Sequence, residues 1–107
     1  MARSMIKAPK TAQRGEIFAI RTLIQHPMET GHRPGADGKI LPQNIVRRFS
    51  CRYAGELVFS AQLYPAIAAN PFLEFNTIAT ESGTISLTWE GDQGFTQTET
   101  ISIVVTG

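Results

Sequence analysis

A chain of 107 residues is long enough for one domain around a single core, and its 42% apolar content and net charge of +1 suit a folded chain and exclude a disordered one. The ten Lys and Arg residues are scattered, so they form no footprint for nucleic acid. No apolar run approaches the roughly 18 residues of a membrane helix.

The opening MARSMIKAPK has basic residues but no apolar stretch behind them, and it is not expected to act as a secretory signal. Beta signals follow. A short first strand is expected near residues 5–9. EIFAIRTLIQH (16–26) is rich in β-branched and aromatic residues. Phe18, Ile20, Thr22 and Ile24 share one face; Ile17, Ala19, Arg21 and Leu23 share the other. Apolar groups on both faces imply cover on both sides for part of this strand. The connection 27–44 is long for a chain otherwise built with short turns, and such connections are usually functional or disordered. Pro27, Pro34 and Pro42 stiffen it and Asp37–Gly38 suits a tight turn, so a small β-ribbon pointing away from the body is expected.

IVRRFSCRYA (45–54) alternates, with Ile45, Phe49, Cys51 and Tyr53 on one face and Arg48, Ser50 and Arg52 on the other. Arg47 and Arg48 are expected on opposite faces, and Val46 is an apolar outlier on the polar one. After a turn at Ala54–Gly55, ELVFSAQL (56–63) completes a hairpin with Leu57, Phe59, Ala61 and Leu63 inward and Val58 outward. YPAIAANP (64–71) is a crossing loop with one helical turn expected at 66–69. FLEFNTIAT (72–80) carries Leu73, Phe75 and Thr77 on one side. GTISLTWEG (83–91) alternates most cleanly, with Ile85, Leu87 and Trp89 inward. GDQG (91–94) turns the chain into FTQTETISIVVT (95–106), with Ile101, Ile103 and Val105 inward.

Seven short strands with turn signals between them predict an all-β domain over residues 1–107, an immunoglobulin-like two-sheet antiparallel sandwich. The inter-sheet disulfide of antibody domains is excluded, because Cys51 is the single cysteine.

The polar loop invites a chemical reading. His26, Glu29 and His32 could ligate a cation, but their spacing matches no tetrahedral zinc pattern, and exposed loop histidines are the simpler expectation. Cys51 alternates with Phe49 and Tyr53 on an apolar face, which predicts a buried, inert thiol. No local spacing pairs two carboxylates, and there is no G-x-S-x-G elbow. No catalytic residue, metal or cofactor is therefore expected. A partner interface is expected instead, with Ile17, Ala19 and Leu23 on an apolar outer face.

HPMETG (26–31), ADGK (36–39), FSAQLYPAIAANPFLEF (59–75) and TWEGDQG (88–94), with IKAPKTAQRGEI (6–17) before them, resemble the SoxZ family of bacterial sulfur oxidation over essentially the whole chain. The resemblance implies an immunoglobulin-like, non-catalytic subunit in a stable heterodimer with SoxY. The C-terminal arm of SoxY holds one cysteine that carries the sulfur intermediate. The resemblance also implies transient contacts with SoxXA, SoxB and SoxCD, and export to the periplasm together with a signal-bearing partner. This chain ends SIVVTG, so it is not expected to be the cysteine-bearing carrier, nor Cys51 the carrier thiol. Under this reading the apolar face of Ile17, Ala19 and Leu23 holds SoxY. His26, Pro27, Met28, Glu29, His32, Arg33 and Lys39 form a recognition surface, Met28 as an adaptable contact and the charged groups as steering groups. The alternative is a stand-alone sandwich for binding or adhesion, with Trp89 and Tyr64 as stacking surfaces.

Overall fold

The computed structural model describes residues 3–107; Met1 and Ala2, part of the opening stretch examined for a signal, lie outside the described residues. The alternating segments become strands β1 (Ser4–Lys7), β3 (Ile17–Ile24), β4 (Val46–Tyr53), β5 (Glu56–Gln62), β6 (Phe72–Ile78), β7 (Gly83–Gly91) and β8 (Thr96–Thr106), with one further strand, β2 (Thr11–Gln13). They form two sheets, three-stranded in the order β1-β3-β6 and five-stranded in the order β2-β8-β7-β4-β5. Eight strands thus stand where seven were expected. The strand expected over 5–9 is β1, which stops before Pro9, a residue with no N–H to give to a ladder. The additional strand, β2, lies beyond it and pairs parallel to β8, a departure from the expected all-antiparallel pairing. The expected helical turn at 66–69 is instead a tight turn closed by the Ile67 N–H on the Tyr64 carbonyl.

The core is an aromatic cluster that bridges the sheets. Phe49 of β4 lies 5.3 Å from Trp89 of β7 and 6.1 Å from Phe59 of β5, between ring centroids. From the opposite sheet Phe75 of β6 meets Phe49 at 5.8 Å and stacks on Phe59 at 4.3 Å. Ile20, Ile24, Ile85, Leu87 and Ile103 fill the remaining inner surface and are essentially inaccessible. Truncating a buried ring of this kind costs about 3–5 kcal/mol. Tyr53 supplies a polar tie between the layers. Its hydroxyl accepts from the backbone N–H groups of Thr80 and Glu81, at 3.3 and 3.2 Å, and donates to the Glu81 carbonyl. One side chain of β4 thereby fixes the corner between β6 and β7.

Two β-bulges change faces that alternation alone misassigns. The β4–β7 register steps from Val46↔Gly91 to Arg48↔Glu90, leaving Arg47 without an opposite residue. Val46 therefore turns inward and is fully buried, while Arg47 and Arg48 are both exposed instead of facing opposite ways. The β4–β5 register steps from Cys51↔Phe59 to Arg52↔Leu57, skipping Val58. Leu57 is consequently turned out beside Arg52 instead of inward.

Tyr53→Phe leaves two backbone donors at the β6–β7 corner without their acceptor. The expected loss is about 1–3 kcal/mol of unfolding free energy, read by urea denaturation, with the fold retained. An unchanged midpoint would show that water replaces the hydroxyl at no cost.

Candidate interaction surfaces

The long connection forms the expected ribbon. Glu29 and Asn44 exchange both backbone hydrogen bonds at 2.8 Å, Leu41 N–H donates to the Arg33 carbonyl, and Gly35 N–H donates to Lys39 at 2.7 Å. Gly38 takes φ +80° at the tip, a conformation that Asp37–Gly38 supplies cheaply. The molecule measures 60 Å along its long axis against 20 and 19 Å across, the proportions of a sandwich extended by a ribbon.

The placement of His26 and Met28 corrects the expectation that they are surface groups. His26 is 5% exposed, its ring set edge-on to Phe95 at 5.0 Å. Its backbone N–H donates to Asn70 Oδ1, its carbonyl accepts from Asn70 N–H, and its Nδ1 accepts from Met28 N–H at 3.1 Å. Met28 is 4% exposed at φ +50°, and its sulfur accepts from Val46 N–H at 3.2 Å. Both residues anchor the ribbon's root, because the chain doubles back there and its backbone groups need local acceptors. Asp92 completes the root. Its carboxylate accepts from Ile45 N–H at 3.1 Å and from the Arg47 guanidinium, which also donates to Gln43 at 2.7 Å. Beside it Gly91 packs so closely that a Cβ would sit 2.4 Å from the Ile45 carbonyl oxygen.

The other loop residues face outward. Pro27, His32, Arg33 and Lys39 are exposed, and Glu29 is partly so. Glu29 and Arg33 are paired at 2.6 Å, and the guanidinium holds the Glu29 carboxyl below its ordinary range. His26, Glu29 and His32 do not converge, and among the described residues no three of His, Cys, Asp and Glu gather as a metal site. Cys51 is fully buried, and burial pushes its thiol up to about 11. Trp89 is likewise enclosed, which removes it as a stacking surface, whereas Tyr64 is exposed.

Ile17, Ala19 and Leu23 lie on the outer face of the three-stranded sheet, where the register gives them neighbours. Met5, Leu23 and Phe72 form one cross-strand row, and Ile17 and Ile78 form another. Met5 is 59% exposed, Ile17 66% and Phe72 58%. Between the rows lies Lys7–Arg21–Glu74, in which Arg21 and Glu74 form an ion pair. The face is therefore apolar at both ends and charged across the middle. Met5, Phe72 and Ile78 were not among the sequence candidates. The signal for two of them was present, since Leu73 and Phe75 inward place Phe72 and Ile78 outward, on the face β6 presents beside β3.

Fold and surface together describe an immunoglobulin-like β-sandwich whose distinctive features are a ribbon and an apolar outer sheet face. A family model described as "Sulphur oxidation protein SoxZ" matches residues 6–102. The chain belongs to the SoxZ family and so to the Sox system of sulfur oxidation. No curated protein matches the chain. Among solved structures it is similar to the sulfur carrier protein SoxY from Chlorobium limicola f thiosulfatophilum, at 15% identity and TM-score 0.66, over 97% of this chain and 79% of that one. It is also similar to a superoxide reductase (neelaredoxin) from Ignicoccus hospitalis, at 15% identity and TM-score 0.72, over 98% and 82%. A CARDB domain from Pyrococcus furiosus follows at 14% identity and TM-score 0.53, over 99% and 94%. At such identities these likenesses define the fold alone.

The root of the ribbon predicts a pH effect. Burial lowers the His26 pKa below the ordinary 6.5, and the nearby Asp92 charge offsets this only in part. The unfolded chain therefore takes up the proton first, so stability present above about pH 6.5 is lost as the pH falls through the folded value. Protonating Nδ1 would also remove the acceptor of Met28 N–H. Melting temperature is expected to fall between pH 7.5 and 5.5, above the carboxylate range, and His26→Asn is expected to flatten that slope. An equal slope in the variant would overturn the assignment.

Proposed function

We propose that this chain is the non-catalytic Z subunit of a periplasmic carrier of sulfur intermediates. It binds SoxY as a stable heterodimer through the outer face of β1-β3-β6 and offers its ribbon to the enzymes that visit SoxY's cysteine arm, SoxXA, SoxB and SoxCD. The family match over residues 6–102 carries this reading. The surface assignment is supported by the two exposed apolar rows, since singly scattered apolar residues need no explanation but rows on one face do.

The physical demand is presentation. A substrate tethered to an arm has to enter several active sites in turn, so the arm needs a stiff base and a shared docking surface. The sandwich supplies stiffness. The ribbon supplies Pro27, His32, Arg33 and Lys39, with Glu29 partly accessible. Exposed charges of this kind mainly set encounter rate and orientation. A permanent heterodimer of this size buries about 1,500–2,500 Å² in total, and visiting enzymes less.

Co-expression with SoxY tests the reading. A one-to-one complex is expected on gel filtration, and Leu23→Glu with Phe72→Glu should weaken it by roughly 100-fold or more, since two charges would be buried in the Met5–Leu23–Phe72 row. Arg48→Glu, on the outer face of the other sheet, should leave it intact. Failure of the wild-type chains to associate would sink the carrier reading, and an unaffected double variant would sink the choice of face. Replacing residues 35–39 by a two-residue turn is expected to preserve SoxY binding and to slow sulfur transfer by the visiting enzymes.

A further inference from the structure

The five-stranded sheet has an edge that its own strands cover only in part. β2 pairs with β8 over Val104, Val105 and Thr106 alone. Above that point Thr96–Ile103 pair with β7 on one side, and among the described residues no strand is laddered to β8 on the other. The direction of the free groups follows from the covered ones. Val104 N–H donates outward to the Lys10 carbonyl, and the Thr106 carbonyl accepts from Arg14 N–H. Backbone groups in a strand alternate between its two edges. The N–H and C=O groups of Thr96, Thr98, Thr100 and Ser102 therefore face the open side, as an unpaired ladder.

A groove runs along this edge, between it and the opposite sheet. Its polar stretch, of about 660 Å³, is lined by His26, Asn44, Gln97 and Glu99. Its apolar stretch, of about 470 Å³, is lined by Ile6, Ala8 and Ile101. At the polar end the Asn44 Oδ1 atom is buried without a donor, and the Glu99 carboxylate, directed inward, is met by Gln97 Nε2 at 3.1 Å. That end calls for donors, and the other for an apolar side chain.

We infer that the edge of β8 receives an extended segment of the partner chain as an added strand. This segment carries a basic or amide side chain over Glu99 and an apolar one beside Ile101, two positions apart on its inward face. The inference rests on the carrier reading for the identity of the partner chain. Area supports it. With β3 eight residues long, the outer face of the small sheet measures about 27 by 14 Å, or roughly 400 Å² in projection. A stable interface takes about 800 Å² per partner. β1 joins the two surfaces, because Met5 and Lys7 lie on that outer face while Ile6 lines the groove. A partner seated on the face thus reaches the open edge around a single strand. A second copy of this chain fits poorly. Antiparallel pairing along the whole of Thr96–Ser102 would set Glu99 opposite its own copy, and like charges directly opposed are destabilising.

Residue-level amide exchange on the chain alone and in its complex with SoxY tests the inference. Thr98, Thr100 and Ser102 are expected to exchange rapidly alone and at least roughly 100-fold more slowly in the complex. Thr100→Pro removes an edge-facing N–H without touching the β7 ladder, and it is expected to raise the Kd for SoxY roughly tenfold, against little change for Thr100→Ala. Glu99→Lys should weaken binding more than Glu99→Gln. A stable complex in which these amides exchange as in the free chain overturns the edge inference and leaves the carrier reading standing. Absence of any complex overturns both.

Discussion

The arrangement rests on the contact between two inner sheet faces of unequal width. Phe75 stacked on Phe59, with Phe49 and Trp89 behind, closes the three-stranded sheet over the five-stranded one. This contact consumes the large inward residues of both layers. What is left outside then separates by chemistry. The outer face of the wide sheet pairs Thr84 with Ser102, Ser86 with Thr100 and Thr88 with Thr98, the last pair hydrogen-bonded at 3.0 Å. Hydroxyls are well hydrated, so the central strands of that face need no cover, and its exposed apolar residues, Leu57 and Val104, sit apart on different strands. The narrow sheet instead shows Met5, Ile17, Phe72 and Ile78 to solvent. The same sandwich occurs in a superoxide reductase and a CARDB domain at 14–15% identity. The surface left over by the core, and not the core, therefore separates this chain from others of its shape.

Much of this was legible because strand alternation is a local signal. The inward sets of β3 and β7 can be read residue by residue, and so can the burial of Cys51 and Trp89. The bulges were not legible. Arg47 and Val58 are skipped only because β7 and β4 present a particular register, and the β4–β7 pairing joins residues some forty positions apart in sequence. Val46 and Leu57 therefore exchange the faces that period two assigns them. His26 and Met28 were misplaced for a related reason. A proline-rich loop with charged residues reads as solvent-facing, yet its first residues lie under Phe95 and against Val46, contacts supplied by distant strands. β2 was missed because three residues carry too little pattern to show, and its parallel partner lies at the far end of the chain.

The buried root has a consequence for the ribbon above it. A free loop would lose conformational freedom each time a visitor docked, and that loss subtracts from affinity. Here the two arms are tied by paired backbone bonds. Their base is tied by the Met28 sulfur, the Asp92 carboxylate and the Gly91 backbone pressed against Ile45. A ribbon anchored in this way keeps its tip groups close to one geometry before contact. Under the proposed reading that suits brief encounters, in which affinity has to stay modest and orientation has to be right.

Under the proposed reading, the charged band across the apolar face adds selectivity. Lys7, Arg21 and Glu74 sit between the rows of Met5–Leu23–Phe72 and Ile17–Ile78. A partner sheet in the right register sets apolar side chains on both rows and an acceptor near Lys7. Shifted along the strands by two residues, about 7 Å, the same partner presses an apolar side chain onto the Arg21–Glu74 pair and strips water from it without replacing the lost bonds. The matched register avoids that desolvation cost, so the order apolar, charged, apolar favours one position of a docked sheet over its neighbours. A face that were apolar throughout would bind more surfaces and align none of them, whereas the carrier reading asks for a single orientation.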